Sequence, residues 1–396
     1  MKKALVINLG WEQEPLLDVI STTGWELYGI HYEEIFYRNE VFKEVLIADI
    51  RDLPTITKFA DLIKPDAVIS DQCDYSHFVQ AVLCEKYQLP GPRIKQSQIS
   101  SNKFLQRSIA SENSIQVPQF RRIIYPSEVY EFADEVGYPL ILKPVDNRGS
   151  FGVSKVNSKE EVLLAYLTAL SNSHSRWVIA EQFIKGFEVT VDGYCFQRVP
   201  YSLTLAKKGH IDEQRQVSVD IKYPGELPDD LYEKVLKNNE EVIRKLGYDF
   251  GMTHSEYMVT PAGEIYLIEA ANRGGGVYTS EIIVPHVSGV DILGAYINDC
   301  LDISTAIAPK KIGRQEVILK FFSLKPGKIK AIEGVESVIK DPSLLKFRLT
   351  VQPGDIVQPI YNDANRHGFV IVSAEKDVRV QAQKIVDKIN IIYEKN

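Results

Sequence analysis

The chain has 396 residues, 44% hydrophobic and 25% charged, and its 46 Lys and Arg against 53 Asp and Glu leave a net charge of −7. At about 150 residues per domain this length predicts two or three domains, each able to bury a core without disulfide or metal staples. The acidic balance argues against a nucleic-acid or anionic-membrane partner, since such partners draw a basic excess, and no apolar run approaches the roughly 18 residues of a membrane helix.

The first ninety residues alternate short β-rich runs, at Ala4 to Leu9, Trp25 to His31, Glu44 to Ala48 and Ala67 to Ser70, with helical stretches such as Pro54 to Ile63. That rhythm predicts a parallel α/β sheet. The opening MKKALVINLG starts like a signal peptide, but its apolar run stops at Asn8, and Glu12 and Glu14 follow. The same strand closes on Asn8-Leu9-Gly10 with no GxGxxG, which removes the best support for a nicotinamide dehydrogenase. Cys73, Cys84, Cys195 and Cys300 have neither a CxxC pair nor metal-ligand spacing and read as small buried hydrophobes in a reducing compartment, so a cytoplasmic location is expected.

The breaker cluster Leu89-Pro90-Gly91-Pro92 marks the exit from this unit. A polar, Ser-rich helix from about Ser100 leads to Val117-Pro118, and period-two runs follow at Arg121 to Ile124, Pro139 to Lys143, Val178 to Phe183 and Glu188 to Tyr194. A long helix is predicted over Pro228 to Leu246 and a strand pair over His254 to Ala270. From about Glu316 onward, strands mix with turns such as Lys325-Pro326-Gly327 and Gln352-Pro353-Gly354-Asp355.

Three segments carry candidate chemistry. Lys143 ends a strand, and the loop Gly149-Ser150-Phe151-Gly152-Val153 follows it; phosphate oxygens need exposed backbone N–H groups and a nearby cation, although a flexible turn with a surface lysine fits the same residues. Glu181-Gln182-Phe183-Ile184, with Glu188 beyond the Gly186 turn, offers strand-end backbone for an adenine and carboxylates for a ribose, or else a hairpin with solvent-facing glutamates. In the third segment, a turn centred on Ala262 and Gly263 places Glu256 directly opposite Glu269, with Cβ atoms about 4.5 to 5.5 Å apart. Like charges so placed destabilise a hairpin, and a divalent cation between them, Mg²⁺ above all, is a natural reason for the arrangement, although two solvated glutamates on an exposed edge fit the same pattern. Arg273 stands beside Gly274-Gly275-Gly276, a cation and backbone donors at one place, suited to a carboxylate or a transferring phosphoryl group.

In this order the pieces resemble the ATP-grasp superfamily over roughly residues 100 to 303, and Ala271-Asn272-Arg273-Gly274-Gly275-Gly276 is most similar to L-amino-acid ligase-like members. The resemblance implies mixed α/β and α+β architecture: a Rossmann-like domain over 1–95, an ATP-grasp domain over 96–310 with a mobile lid over about 121–183, and a small α+β domain over 311–396. By it, Lys103 and Lys143 are phosphate-contacting lysines, and Gly149, Ser150, Gly152 and Val153 form the lid's phosphate loop. Glu181 to Ile184 form the adenine hinge, Glu188 is the ribose acid, Glu256 and Glu269 are the metal pair, and Arg273 holds acyl phosphate or carboxylate. Many members place an asparagine two residues after the second glutamate, where this chain has Ala271; either Asn272 ligates metal through a local shift or water replaces that ligand.

The implied activity is an ATP-dependent carboxylate–amine ligase that uses Mg²⁺, or Mn²⁺ in its place, and forms an amide or peptide bond through an acyl phosphate with release of ADP and phosphate. Its partners would be a small-molecule carboxylate and a small-molecule amine, with neither nucleic acid nor membrane, and family habit points to a homodimer. Two rivals stand beside it: carboxylation through carboxyphosphate, and an ATP-binding regulator without turnover. His210, Arg215 and Tyr223 fall where acceptor-side residues would lie, but none is assigned a catalytic role.

Overall fold

The computed structural model describes residues 1–34, 36–210, 218–303, 315–360 and 365–394. The N-terminal unit alternates β1 (Lys3–Ile7), α1 (Glu14–Ile20), β2 (Glu26–His31), β3 (Phe42–Ile47), α2 (Leu53–Ile63), β4 (Ala67–Ser70) and α3 (Asp74–Tyr87). Its four strands form one parallel sheet in the order β3-β2-β1-β4. Apolar runs bury both faces of β1, as a parallel sheet covered by helices requires. The start of α2 is fixed by Asp52, whose side chain accepts from the Thr55 N–H, and by Pro54 in the first turn.

Helices α4 (Ile94–Ser100) and α5 (Lys103–Glu112) lead out of this unit, the second capped by Asn102, which accepts from the Leu105 N–H. Next comes a self-contained lobe of β5 (Phe120–Ile123), α6 (Pro126–Val136), β6 (Leu140–Pro144), β7 (Ser154–Val156), α7 (Val162–Ser171) and β8 (Val178–Gln182). Its sheet runs β5-β8-β6-β7, and Val129, Phe132, Leu140, Leu142, Val162 and Ala169 belong to its own apolar core. This lobe occupies the stretch, 121–183, that the resemblance assigns to a lid.

The main sheet is built on β9 (Phe187–Phe196), β10 (Val199–His210), β11 (Ser218–Tyr223), β12 (Gly251–Val259) and β13 (Ile265–Ala271), backed by α8 (Asp229–Leu246). Acidic Asp229 and Asp230 open α8 and Arg244 and Lys245 close it, which matches the helix dipole, and Gly247 ends it in the left-handed region. After a π-helical turn, Thr279–Ile283, come α9 (Val284–Ser288) and α10 (Ile292–Cys300). The C-terminal part contains β14 (Glu316–Phe321), β15 (Gly327–Glu333), α11 (Val335–Ile339), β16 (Leu344–Leu349), β17 (Ile356–Val357), β18 (Gly368–Ala374), α12 (Val378–Val386) and β19 (Asn390–Tyr393).

Strands β14, β18 and β16 extend the main sheet to eight strands, in the order β13-β12-β9-β10-β11-β14-β18-β16. The expected boundary at 310/311 lies outside the described residues; beyond it, Val317 to Lys320 pair directly with Tyr223 to Asp220 of the preceding part. Helix α10 returns to the N-terminal sheet: Ile292, Ala295 and Tyr296 share a core with Ala4, Val6 and Ile69, and the Tyr296 hydroxyl donates to Ser70 O at 2.5 Å. Among the described residues no helix is long and apolar enough to cross a membrane.

Candidate nucleotide and acyl-transfer site

Glu256 and Glu269 are cross-strand partners on β12 and β13. The pairing is the expected one, but the route to it is not. Outside the pair the register is one residue tighter, Tyr257 with Leu267 and Val259 with Ile265, and a bulge at Ile268 restores the glutamates to one another. The turn is correspondingly shorter, closed by the Gly263 N–H on Thr260 O.

Each carboxylate is already neutralised. Lys103, the first residue of α5, donates to Glu269 at 2.9 Å and to the Asn147 carbonyl at 2.7 Å. Lys208 on β10 bridges Glu188 and Glu256, at 2.5 Å from each. Burial pushes the Glu256 carboxyl up, but the Lys208 ammonium, with help from His254, pulls it down to about 2. His254 is in turn held by Asp192 at 2.7 Å, and the Tyr223 hydroxyl donates to that same aspartate at 2.6 Å. Tyr223, one of the acceptor-side candidates, is therefore a buried member of this network. Arg215 and the His210 side chain lie outside the described residues.

Beneath this layer Lys143 reaches Glu181 at 2.8 Å, and Arg107 of α5 approaches the other oxygen at 2.9 Å. All three are buried, Arg107 completely. The Glu181 side chain is thus a counter-ion for two cations, which leaves the strand end Gln182, Phe183 and Ile184, all half-buried, as the exposed part of the expected hinge. Lys155 stands 4.3 Å over the Phe183 ring. In the loop after β6, Gly149, Ser150 and Gly152 all have positive φ. A side chain on Gly152 would come within 2.7 Å of Asn172, so packing also demands glycine there. The Val153 N–H closes a turn on Ser150 O at 3.3 Å.

Arg273 is clamped by Asp74 of α3, Nε to Oδ1 at 2.5 Å and Nη2 to Oδ2 at 3.1 Å, and it donates to Gly274 O at 2.9 Å. Although burial opposes its charge, Asp74 holds its pKa above the ordinary arginine value. The glycines beside it are sterically required: a Cβ on Gly274 would meet Ser280 and Asp71 within 2.8 Å, and one on Gly275 would meet His254 at 2.8 Å. Glu12 faces Gly276, and burial raises its carboxyl against the opposing pull of Arg148 and Arg273.

Asn272 is not brought to the Glu256–Glu269 pair. Its amide nitrogen donates to Phe250 O and Met252 O, at 2.8 and 3.2 Å, and its backbone N–H is held by Ser100. The expected local shift is thus absent, because the side chain is engaged with the backbone of β12 and the loop before it.

Asp71 and Glu281 meet in the interior next to this loop; burial pushes both carboxyls up, and the Asp71 charge adds to the rise at Glu281. The folded protein therefore keeps a proton on Glu281 that the unfolded chain releases near the ordinary value of 4.5, so stability falls as pH rises above that value, until the raised value is passed. Replacement Glu281→Gln keeps a neutral polar side chain and removes the titration. Melting temperatures measured from pH 5 to about pH 8 should fall less in the variant than in the wild type; parallel curves would show that Glu281 is ionised in the fold.

Lys208, Arg107, Arg148, Asp74 and Glu12 complete the site without having been singled out in the sequence. Only Lys208 left a signal, since it falls on the strand neighbouring β9, beside Glu188.

Two family models match the chain: an ATP-grasp domain over residues 136–281 and an L-amino acid ligase C-terminal domain 2 over residues 320–394. Among curated relatives, an uncharacterized protein of Sinorhizobium fredii is 24% identical over 77% of this chain and 63% of its own length. A D-alanine–D-alanine ligase of Bordetella avium is 26% identical over 49% of this chain and 62% of its own. The chain thus spans just under two thirds of these relatives. In fold it is similar to an L-amino acid ligase from Bacillus licheniformis, with a TM-score of 0.84 at 19% identity over 100% of this chain and 99% of that one. A biotin carboxylase from Campylobacter jejuni gives 0.77 at 16% identity over 99% and 92%. One model lies over most of the lobe and the glutamate pair and the other over the C-terminal strands, so residues 136–281 are similar to an ATP-grasp domain and residues 320–394 to an L-amino acid ligase C-terminal domain.

Proposed function

We propose that this protein is an ATP-dependent carboxylate–amine ligase that forms an amide or peptide bond through an acyl phosphate and releases ADP and phosphate. The observation that carries the reading is the Glu256–Glu269 pair, on which Lys103 of α5 and Lys208 of β10 converge, with the Asp74-clamped Arg273 four residues beyond Glu269. A carboxylate is a poor electrophile because its leaving group would be oxide, and phosphorylation replaces that with phosphate. Lys103, Lys143 and the loop Gly149 to Val153 would hold the nucleotide phosphates, Gln182 to Ile184 the base, and Glu188 the ribose. Arg273 with the Gly274 to Gly276 amides would stabilise charge developing on the transferring group.

The residues fit a hard divalent cation: two carboxylates face each other across one strand pair, each about a quarter exposed. Among the described residues no third acidic, His or Cys side chain joins them, so phosphate oxygens and water would fill the rest of the shell. When bound, Mg²⁺ supplies charge neutralisation at the phosphates. The lid would exclude water that would hydrolyse the activated acid. Glu12, which feels the charges of Arg148 and Arg273, puts an acid near two cations, which suits substrates that carry an ammonium as well as a carboxylate. The small-molecule substrates, the reduced cysteines and the use of ATP support a cytoplasmic setting.

The test is chromatography of the spent nucleotide after incubation with Mg-ATP and a panel of carboxylate and amine pairs. ADP appearing only when an acid and an amine are both present, and lost in Glu269→Gln, is expected. AMP with pyrophosphate, or ADP that depends on bicarbonate alone, would overturn the reading.

A further inference from the structure

The outer face of the lid is unusually apolar. On α7 the residues Val162, Ala165, Tyr166 and Ala169 pack inward, at helical spacing, against the lid sheet. The opposite side is not polar, as a solvated face would be, but carries Leu163, Leu164 and Leu167, which are 53%, 74% and 50% exposed. Beside them stand Ile124 and Tyr125, 48% and 64% exposed, joined to the helix by the Tyr166 hydroxyl, which donates to Ile124 O at 2.5 Å. The three leucines alone leave on the order of 300 Å² of apolar surface on one helix face, a substantial part of the roughly 800 Å² per partner that a stable dimer buries. A shallow hollow lined by Leu167, Thr168, Leu170, Ser171 and Arg176 adjoins them. Helices α6 and α7 cover the outer side of the lid, so the patch takes no part in the cleft.

The charges at the two ends of α7 are opposite. Exposed Glu160 and Glu161 precede its first residue, and exposed Arg176 folds back onto the Leu170 carbonyl after its last. None of the three is in an ion pair among the described residues. At 1.5 Å per residue the ten-residue helix is about 15 Å long, so acid and base lie roughly one helix length apart. An antiparallel second copy of the same helix places its Arg176 against Glu160 and Glu161 and its Leu164 over the hollow, which satisfies both ends at once; such reciprocity defines a two-fold interface.

We propose that the protein forms a homodimer through the outer face of its lid, α7 against α7 about a two-fold axis, with the apolar stripe at the centre and the Glu160/Glu161–Arg176 contacts at the rim. Each copy's lid then moves with its partner's, while both clefts face away from the interface.

Sedimentation and light scattering across a concentration series test this. The wild type is expected as a dimer, and Leu164→Glu and Leu167→Glu should each raise its dissociation constant by about a hundredfold, since a buried carboxylate would face apolar surface. Their thermal stabilisation by Mg-ATP should stay at the wild-type value, which separates loss of the interface from loss of the fold. All four native cysteines are buried, so Leu167→Cys provides an exposed thiol near the axis and should form a disulfide-linked dimer on mild oxidation. A monomeric wild type, or a dimer that survives both glutamate substitutions, would overturn the proposal and leave the patch to another kind of partner.

Discussion

Replacing Arg273 by Lys is expected to lower turnover by about a hundredfold or more while the dissociation constant for ATP changes little. Charged donors aimed at a developing oxyanion typically contribute about 2.7 to 4 kcal/mol, and lysine keeps the charge but loses the planar two-donor fork. In this protein the fork has a second task, because Asp74 takes two of its nitrogens. The variant therefore loosens the contact between α3 and the glycine loop as well as the contact to the reacting group. On the proposed assignment the nucleotide is held by Lys103, Lys143, the loop Gly149 to Val153 and Gln182 to Ile184 rather than by Arg273. Steady-state kinetics beside nucleotide titration would check it, and an unchanged turnover number, or a loss confined to ATP affinity, would place Arg273 outside the reaction centre.

The second large effect belongs to Glu181. It is the shared counter-ion of Lys143 and Arg107, and the three side chains are almost wholly removed from water. With Glu181→Gln two buried cations lose their carboxylate, and removing one partner of a buried ionic group costs about 3 to 5 kcal/mol. Denaturant or thermal unfolding should show that loss. If Lys143 lies under the nucleotide phosphates, as proposed, ATP should restore stability to the variant by a larger margin than it adds to the wild type. Equal stabilisation of both would separate Lys143 from the phosphates.

The sequence disclosed the repeating units well, because parallel strands buried on both faces and a lobe with its own core impose local patterns. Strands β1 to β4 and the Glu256–Glu269 pairing were both legible in this way. The pairing was reached from a turn centre one residue off, and the bulge at Ile268 made up the difference; a bulge leaves no mark in a short apolar run. Hidden too were the partners that come from distant elements. Asp74 lies 199 residues from Arg273, and Lys208 lies 48 from Glu256, and no periodicity links such positions. For Asn272, just past the end of β13, the sequence left metal ligation and a water in its place both open, and its amide nitrogen is found on the Phe250 and Met252 carbonyls.

The lysines that sit on the glutamates have a consequence for how two ligands would meet there. On the proposed assignment, a nucleotide entering alone would draw Lys103 toward its phosphates and leave Glu269 opposite Glu256 with less cation between them. A divalent ion entering alone would displace Lys103 from Glu269 and leave that ammonium with the Asn147 carbonyl, while Lys208 keeps Glu188. Only when both arrive does every charge find a partner, as the lysines pass to phosphate and the carboxylates to metal. The apo ion pairs thus act as a thermodynamic link between nucleotide and metal: each raises the other's affinity by the same factor, without any change of shape being needed.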